Sequence, residues 1–219
     1  VFIVKFASKS KQSIQNLIDL HHIEFNEITG SYPVERLHIA RLDKIHPVVS
    51  GNKLFKLHYF LQEALASEYK TLLSFGGAYS NHLVATAFAC REYGLKSIGM
   101  VRGEKPAVLS DSLQDCIRYG MKLHFISRET YSNGLDKSFV SSLQETYGPF
   151  ILVPEGGYSP TGAKGASLIM NSIKEMDASH ICVNVGTATT LAGLLLEAAP
   201  AQKIIAVNVL KNMHDIPER

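Results

Sequence analysis

From Lys53 onward the chain alternates between two hydrophobic periods, and this alternation limits the fold more than any other feature. Leu54, Leu57, Leu61 and Leu65 recur at helical spacing, and Thr71-Leu72-Leu73-Ser74-Phe75 then forms a short apolar run closed by Gly76-Gly77. The first pattern predicts a helix from Lys53 to Ser67, the second a buried strand. The exchange repeats to the end. Strands are expected at Ser97–Val101, Leu123–Ile126, Phe150–Val153, Ile181–Val185 and Lys203–Val209. Helices are expected at Asn81–Glu92, Ser110–Tyr119, Leu135–Tyr147, Thr161–Met176 and Thr189–Ala199. Such a rhythm implies an α/β fold with parallel-rich sheets covered by helices on both faces. In those folds ligands collect where carboxyl ends of strands meet helix N-termini. Three such turns are rich in Gly, Ser, Thr and Asn: 76–82, 155–163 and 186–190. The first fifty residues are less regular, with an amphipathic helix expected at Ser13–Leu20 and a strand at Leu37–Asp43.

A hydrophobic content of 46% and a charged content of 19% allow a substantial core. A net charge of +2 gives no case for nucleic acid or an anionic membrane as partner. No run of 18 apolar residues is present, so no membrane span is expected, and the opening Val1–Phe6 run is too short for a signal sequence. Cys90, Cys116 and Cys182 each lie in an apolar context and are expected to be buried free thiols, in keeping with a reduced, cytoplasmic setting. Neither the cysteines nor His21-His22 and His46 have metal-ligand spacing, so no metal is expected.

Ser50-Gly51-Asn52-Lys53 places one amine at a flexible turn that opens an apolar helix. A lysine there can form a Schiff base with a carbonyl cofactor if its amine can be neutral, which the positive helix N-terminus and neighbouring Lys56 favour. The plainer reading is a solvated lysine in a turn. Gly76-Gly77-Ala78-Tyr79-Ser80-Asn81-His82 offers a hydroxyl, an amide and an imidazole, which otherwise serve as a polar cap over the next helix. Thr187-Ala188-Thr189-Thr190 follows a strand and opens a helix, as suits either a phosphate site or ordinary N-capping. G-x-S-x-G, a Walker lysine and G-x-G-x-x-G are all absent, which removes serine hydrolase, P-loop and dinucleotide readings.

The order of these pieces carries a resemblance. Gly-Asn-Lys opens a helix; Gly-Gly-Ala-Tyr-Ser-Asn-His follows a strand; then come Glu155-Gly156-Gly157 with Gly162 and Gly165, and strand–Gly-Thr-Ala-Thr-Thr-Leu-Ala-Gly–helix. From about Leu37 to Val209 this resembles the 1-aminocyclopropane-1-carboxylate deaminase / D-cysteine desulfhydrase family. Its members are pyridoxal-phosphate enzymes of the tryptophan synthase β-type fold (fold type II). The resemblance implies a larger cofactor-binding domain from residues 1–60 and 155–219 and a small inserted α/β domain at 61–154. It implies that Lys53 bears the cofactor, Asn81 bonds its phenolic oxygen, and Thr187, Ala188, Thr189 and Thr190 wrap its phosphate, Ala188 standing where a glycine is common. Ser80, Asn81 and His82 would meet the substrate, Ser80 also assisting proton or ring chemistry. Histidine at position 82 leans toward the desulfhydrases, since deaminases often carry glutamine there. The substrate would be a small amino acid and the assembly a homodimer. The family has further sequence after the strand near Val209, supplying tyrosines and a partner for the pyridine nitrogen, which 213–219 does not match. Two rival readings are a protein of the same fold that binds pyridoxal phosphate or a phosphate ligand without catalysis, and a phosphosugar-binding α/β protein.

Overall fold

The computed structural model describes residues 23–31, 34–132 and 136–210. A short antiparallel pair, β1 (Phe25–Glu27) with β2 (His38–Ala40), precedes the α/β part. Four parallel strands follow: β3 (Thr71–Gly76), β4 (Lys96–Arg102), β5 (Lys122–Ile126) and β6 (Ile151–Val153), in the order β5-β4-β3-β6. A separate parallel pair is β7 (His180–Val185) with β8 (Lys203–Asn208). The helices are α1 (Lys53–Ala66), α2 (Asn81–Glu92), α3 (Asp111–Arg118), α4 (Arg128–Ser132), α5 (Lys137–Tyr147), α6 (Pro160–Ile173) and α7 (Thr189–Glu197).

The alternation of β3 side chains explains the layers. Leu72 joins a core with Leu57 and Leu61 of α1, Ala85 and Phe88 of α2, and Met170 of α6. Leu73 and Phe75 point the other way, to Ile98, Met100 and Leu143 of α5. A third cluster seals α2 and α3 over β4 through Leu83, Val101, Leu113 and Met121. Because α1 is wedged between the sheet and α6, it is buried nearly all round, including Lys56 and His58.

Capping residues fix where the helices start. Ser80, Ser110, Asp136 and Ser159 each accept from a backbone N–H one turn ahead, at Leu83, Leu113, Phe139 and Gly162. Pro160 at the first position of α6 suits its fixed φ.

Several expectations need correction. The strand expected at Leu37–Asp43 is confined to His38–Ala40, because Arg41 turns its guanidinium onto Asp43 and Asn26, and Leu42–Lys44 coils into a 3-10 turn. The helix expected at Thr161–Met176 ends at Ile173 and tightens into a 3-10 turn over Lys174–Met176 before left-handed Asp177. Cys90 and Cys116 are buried free thiols, but Cys182 is exposed. It sits on the uncovered face of β7, whose burial alternates along the strand. Ser13–Leu20 and His21-His22 lie outside the described residues. His46 accepts from the backbone N–H groups of Val48 and Val49, a local cap. No helix among the described residues is long and apolar enough to cross a membrane.

Candidate active site

The segments flagged in the sequence converge on one cavity. Its volume is about 240 Å³, below the roughly 300–1,000 Å³ of pockets for drug-sized ligands, so it suits a small molecule. One wall is the start of α1, with Asn52, Lys53 and Lys56. The opposite wall is the β7–α7 turn, with Gly186, Thr187, Ala188 and Thr190. His82 and Gly156 come from the turns after β3 and β6, and Asn184, Val185 and Leu191 complete the lining. The walls are tied directly: Asn52 Nδ2 donates to Thr190 Oγ1 at 2.7 Å across 138 residues of sequence.

Glycines allow this convergence. Gly51 adopts a left-handed φ of +76° immediately before Asn52, a conformation ordinary side chains resist. At Gly76 a Cβ would collide with Ser80 and lie 2.9 Å from Leu83 Cγ, so only glycine lets α2 start so close to β3.

Among the described residues no carboxylate lines the cavity, which carries two amines and the N-terminus of α7. That combination favours an anion. Burial lowers the pKa of Lys53, whose Nζ makes one long bond, 3.4 Å to the Ser50 carbonyl. Burial, with the Lys53 charge second, pushes Lys56 down to about 8. The neighbouring-charge effect expected at Lys53 thus falls on Lys56, and desolvation acts at Lys53. His82 is held neutral, its pKa pushed down to about 3 by burial and then by the charges of Lys56 and Lys53.

The other sequence candidates lie beside the cavity. Ser80 uses its Oγ to accept from Leu83 N at 3.2 Å as the α2 cap. Asn81 is exposed in the first turn of α2. Thr189 is buried behind the turn, its Oγ1 2.9 Å from Thr187 Oγ1. The cavity also takes the polar side chains of Asn52, Lys56 and Asn184, which the sequence analysis does not assign to the site. The three-residue spacing of Lys53 and Lys56 on a helix start was the available signal for one of them.

Two of these placements give tests. Ser80→Ala is expected to cost about 1 kcal/mol of stability through loss of the cap, read by denaturant unfolding. A proton-transfer role for Ser80 would add a fall of about 10²–10⁴-fold in turnover. Ala188 has φ of +63° at the N-cap of α7, where an L-residue is strained by about 1–2 kcal/mol. Ala188→Gly relieves that strain but loosens the unfolded chain, so it is expected to raise stability by about 0.5–1 kcal/mol. An unchanged or lowered denaturation midpoint would contradict the left-handed assignment.

Comparison with known proteins identifies the family. A family model described as pyridoxal-phosphate dependent enzyme matches residues 25–214. A Thermotoga maritima protein, provisionally named 1-aminocyclopropane-1-carboxylate deaminase, is 38% identical over 169 residues, covering 72% of this chain and 52% of its own. The bifunctional D-cysteine desulfhydrase/1-aminocyclopropane-1-carboxylate deaminase of Arabidopsis thaliana is 29% identical over 179 residues, covering 73% of this chain and 44% of its own. The chain therefore spans about half the length of these curated relatives. A crystal structure described as an ACC deaminase homologue superposes with a TM-score of 0.70 at 22% identity, over 95% of this chain and 69% of that one, which shows the fold. With a cavity built from a lysine-bearing helix start and a threonine-rich turn, and a family match across most of its length, this chain belongs to the pyridoxal-phosphate-dependent enzymes.

Proposed function

We propose that the cavity holds pyridoxal phosphate on Lys53 and that the protein acts on a small amino acid. The reaction is β-elimination from D-cysteine to pyruvate, ammonia and sulfide, or ring opening of 1-aminocyclopropane-1-carboxylate to 2-oxobutanoate and ammonia. One observation carries the reading: Lys53 and the Thr187–Thr190 turn face each other across one small cavity, bridged by Asn52 and Thr190.

The residues present fit the cofactor. Backbone N–H groups and hydroxyls of Thr187, Ala188, Thr189 and Thr190 stand at a helix N-terminus, which suits a phosphate dianion. A half-buried Lys53 with a lowered pKa suits covalent attachment of an aldehyde. When bound, the cofactor supplies an electron sink for charge developing at the amino acid Cα. The remaining work falls to side chains of this chain. Lys53 Nζ takes the Cα proton once its amine is free. Asn81 steadies the cofactor's phenolic oxygen, and Ser80 with the N-terminus of α2 receives the substrate carboxylate. In this reading Ser80 Oγ also shares a proton with Lys53.

Residues 1–60 and 155–219 are read as the larger domain and 61–154 as the inserted one; the separation of the β5-β4-β3-β6 sheet from the β7-β8 pair supports this. A homodimer and a cytoplasmic setting complete the reading, the latter supported by the buried free thiols Cys90 and Cys116. The test is to assay the full-length protein for sulfide and keto acid with each substrate. Absence of both products with a fully loaded cofactor would favour a binding protein of the same fold.

A further inference from the structure

Three of the four residues at the β7–α7 turn line the cavity, and one does not. Thr187, Ala188 and Thr190 face it, whereas Thr189 is 2% exposed and packs behind the turn. The Thr189 methyl carbon lies 3.2 Å from where a Cβ on Gly162 of α6 would stand. Among the described residues its hydroxyl has one hydrogen-bond partner, Thr187 Oγ1 at 2.9 Å, and either oxygen can donate. Thr187 is confined from its other side, with Cγ2 2.8 Å and Oγ1 3.1 Å from where a Cβ on Gly156 would stand. Its side chain therefore sits between the Gly156 backbone and Thr189.

The direction of the Thr187–Thr189 bond follows from what the cavity receives. A hydroxyl has one hydrogen to give, and a phosphate dianion only accepts. With a dianion at the turn, the Thr187 hydrogen is spent on the ligand, so Thr189 must be the donor to Thr187. Hydrogen bonds in such a row polarise one another, which strengthens the terminal one. The second hydroxyl on this wall follows the same plan: Asn52 Nδ2 donates to Thr190 Oγ1 at 2.7 Å, which leaves the Thr190 hydrogen for the cavity.

We propose that Thr189 is a positioning residue: its buried hydroxyl donates to Thr187 Oγ1 and so aims the Thr187 hydrogen at an oxygen of the bound phosphate. Its side chain acts on the ligand only through Thr187. This inference rests on the reading that the β7–α7 turn holds the phosphate.

The test compares the affinities of the full-length protein for pyridoxal phosphate and for pyridoxal, which lacks the phosphate, both followed by the visible band. The ratio of the two isolates the phosphate contacts. Thr187→Val is expected to lower that ratio by about 10- to 100-fold, the loss of a bond to a charged group. Thr189→Val keeps the side-chain shape against Gly162 and is expected to lower it by about 3- to 10-fold, with pyridoxal affinity unchanged. Thr189→Ser, which keeps the hydroxyl, is expected to stay within about 2-fold of wild type. In the Thr187→Val background, Thr189→Val is expected to change the ratio by less than about 2-fold, since the residue it acts through is gone. Should Thr189→Val fail to fold, Thr189→Ala against Thr189→Ser gives the same comparison. Independent, additive losses from the two substitutions overturn the proposal. So does a Thr189→Val that weakens both ligands alike, which marks a merely structural role, or one that weakens neither. A wild-type protein that binds pyridoxal as tightly as pyridoxal phosphate removes the phosphate placement itself, and this inference with it.

Discussion

Lys53→Ala is expected to abolish the visible band of the cofactor-loaded protein and to lower turnover by at least about 10²–10⁴-fold, the range for losing a positioned proton-transfer group. The loss of covalent attachment adds to this. Fold and unfolding midpoint should change little, because Lys53 is half-buried at the first position of α1 and its Nζ makes one long bond to Ser50. Gly51 turns the chain with a left-handed φ of +76° two residues before Lys53, which lines the cavity wall.

Lys56 is the rival. It lines the same cavity, is more deeply buried, and has the larger pKa depression, to about 8. At neutral pH it has an appreciable neutral fraction, so basicity alone does not choose between the two amines. Position does. Lys53 directly follows Asn52, which bonds Thr190, so its amine starts beside the turn expected to hold the phosphate. The stem of Lys56 instead packs under Gly157, where an added Cβ would meet Lys56 Cβ at 3.3 Å. Borohydride reduction and peptide mapping should mark Lys53 in the wild type and in Lys56→Ala. A label on Lys56 would reverse the assignment and leave Lys53 as the amine that sets the charge around it.

How much of this was legible in the sequence depended on whether the signal was local. The helix expected at Asn81–Glu92 has those bounds in the structure, because Ser80 at its cap and the alanine-rich apolar run are local features. The five-residue α4 at Arg128–Ser132 was not foreseen: it has no apolar period and is held by Ser127 Oγ on Thr130 N. The family resemblance assigns Lys53, His82, Thr187, Ala188 and Thr190 to the site, and the fold gathers these five on one cavity, whereas Ser80, Asn81 and Thr189 do not line it. Asn52 and Asn184 gain meaning only from contacts across more than a hundred residues or from strand facing, neither of which local spacing encodes. The apolar strand context of Cys182 implies two covered faces, whereas β7 pairs with β8 alone among the described residues and Cys182 is exposed.

A large stability effect is expected at Gly165, and its sign tests how α6 supports the site. In an ordinary helix interior, glycine to alanine is stabilising by about 0.5–1 kcal/mol. At Gly165 the opposite is expected. A Cβ there would run into the Phe55 carbonyl oxygen, and would lie 3.1 Å from its carbon and 3.3 Å from Lys56 Cα. These are backbone atoms of a helix buried on nearly every side, so no rotamer change can make room. The helices must separate or the new methyl must strain the backbone. Gly165→Ala is therefore expected to cost about 3 kcal/mol, the upper part of the range for overpacking, or more. Against a typical stability of about 5–15 kcal/mol that is a large share. Gly193 makes a related approach on the far side of α6, with a Cβ position 2.6 Å from Ala166 Cβ and 2.7 Å from Ser167 N, so α6 has little freedom to retreat. Strain that cannot be relieved on the α7 side must displace α1, which carries Lys53 and Lys56. Weaker pyridoxal phosphate binding should accompany the lowered denaturation midpoint. A midpoint equal to or above wild type, at unchanged denaturant slope, would show that α1 and α6 do not meet backbone to backbone at Gly165.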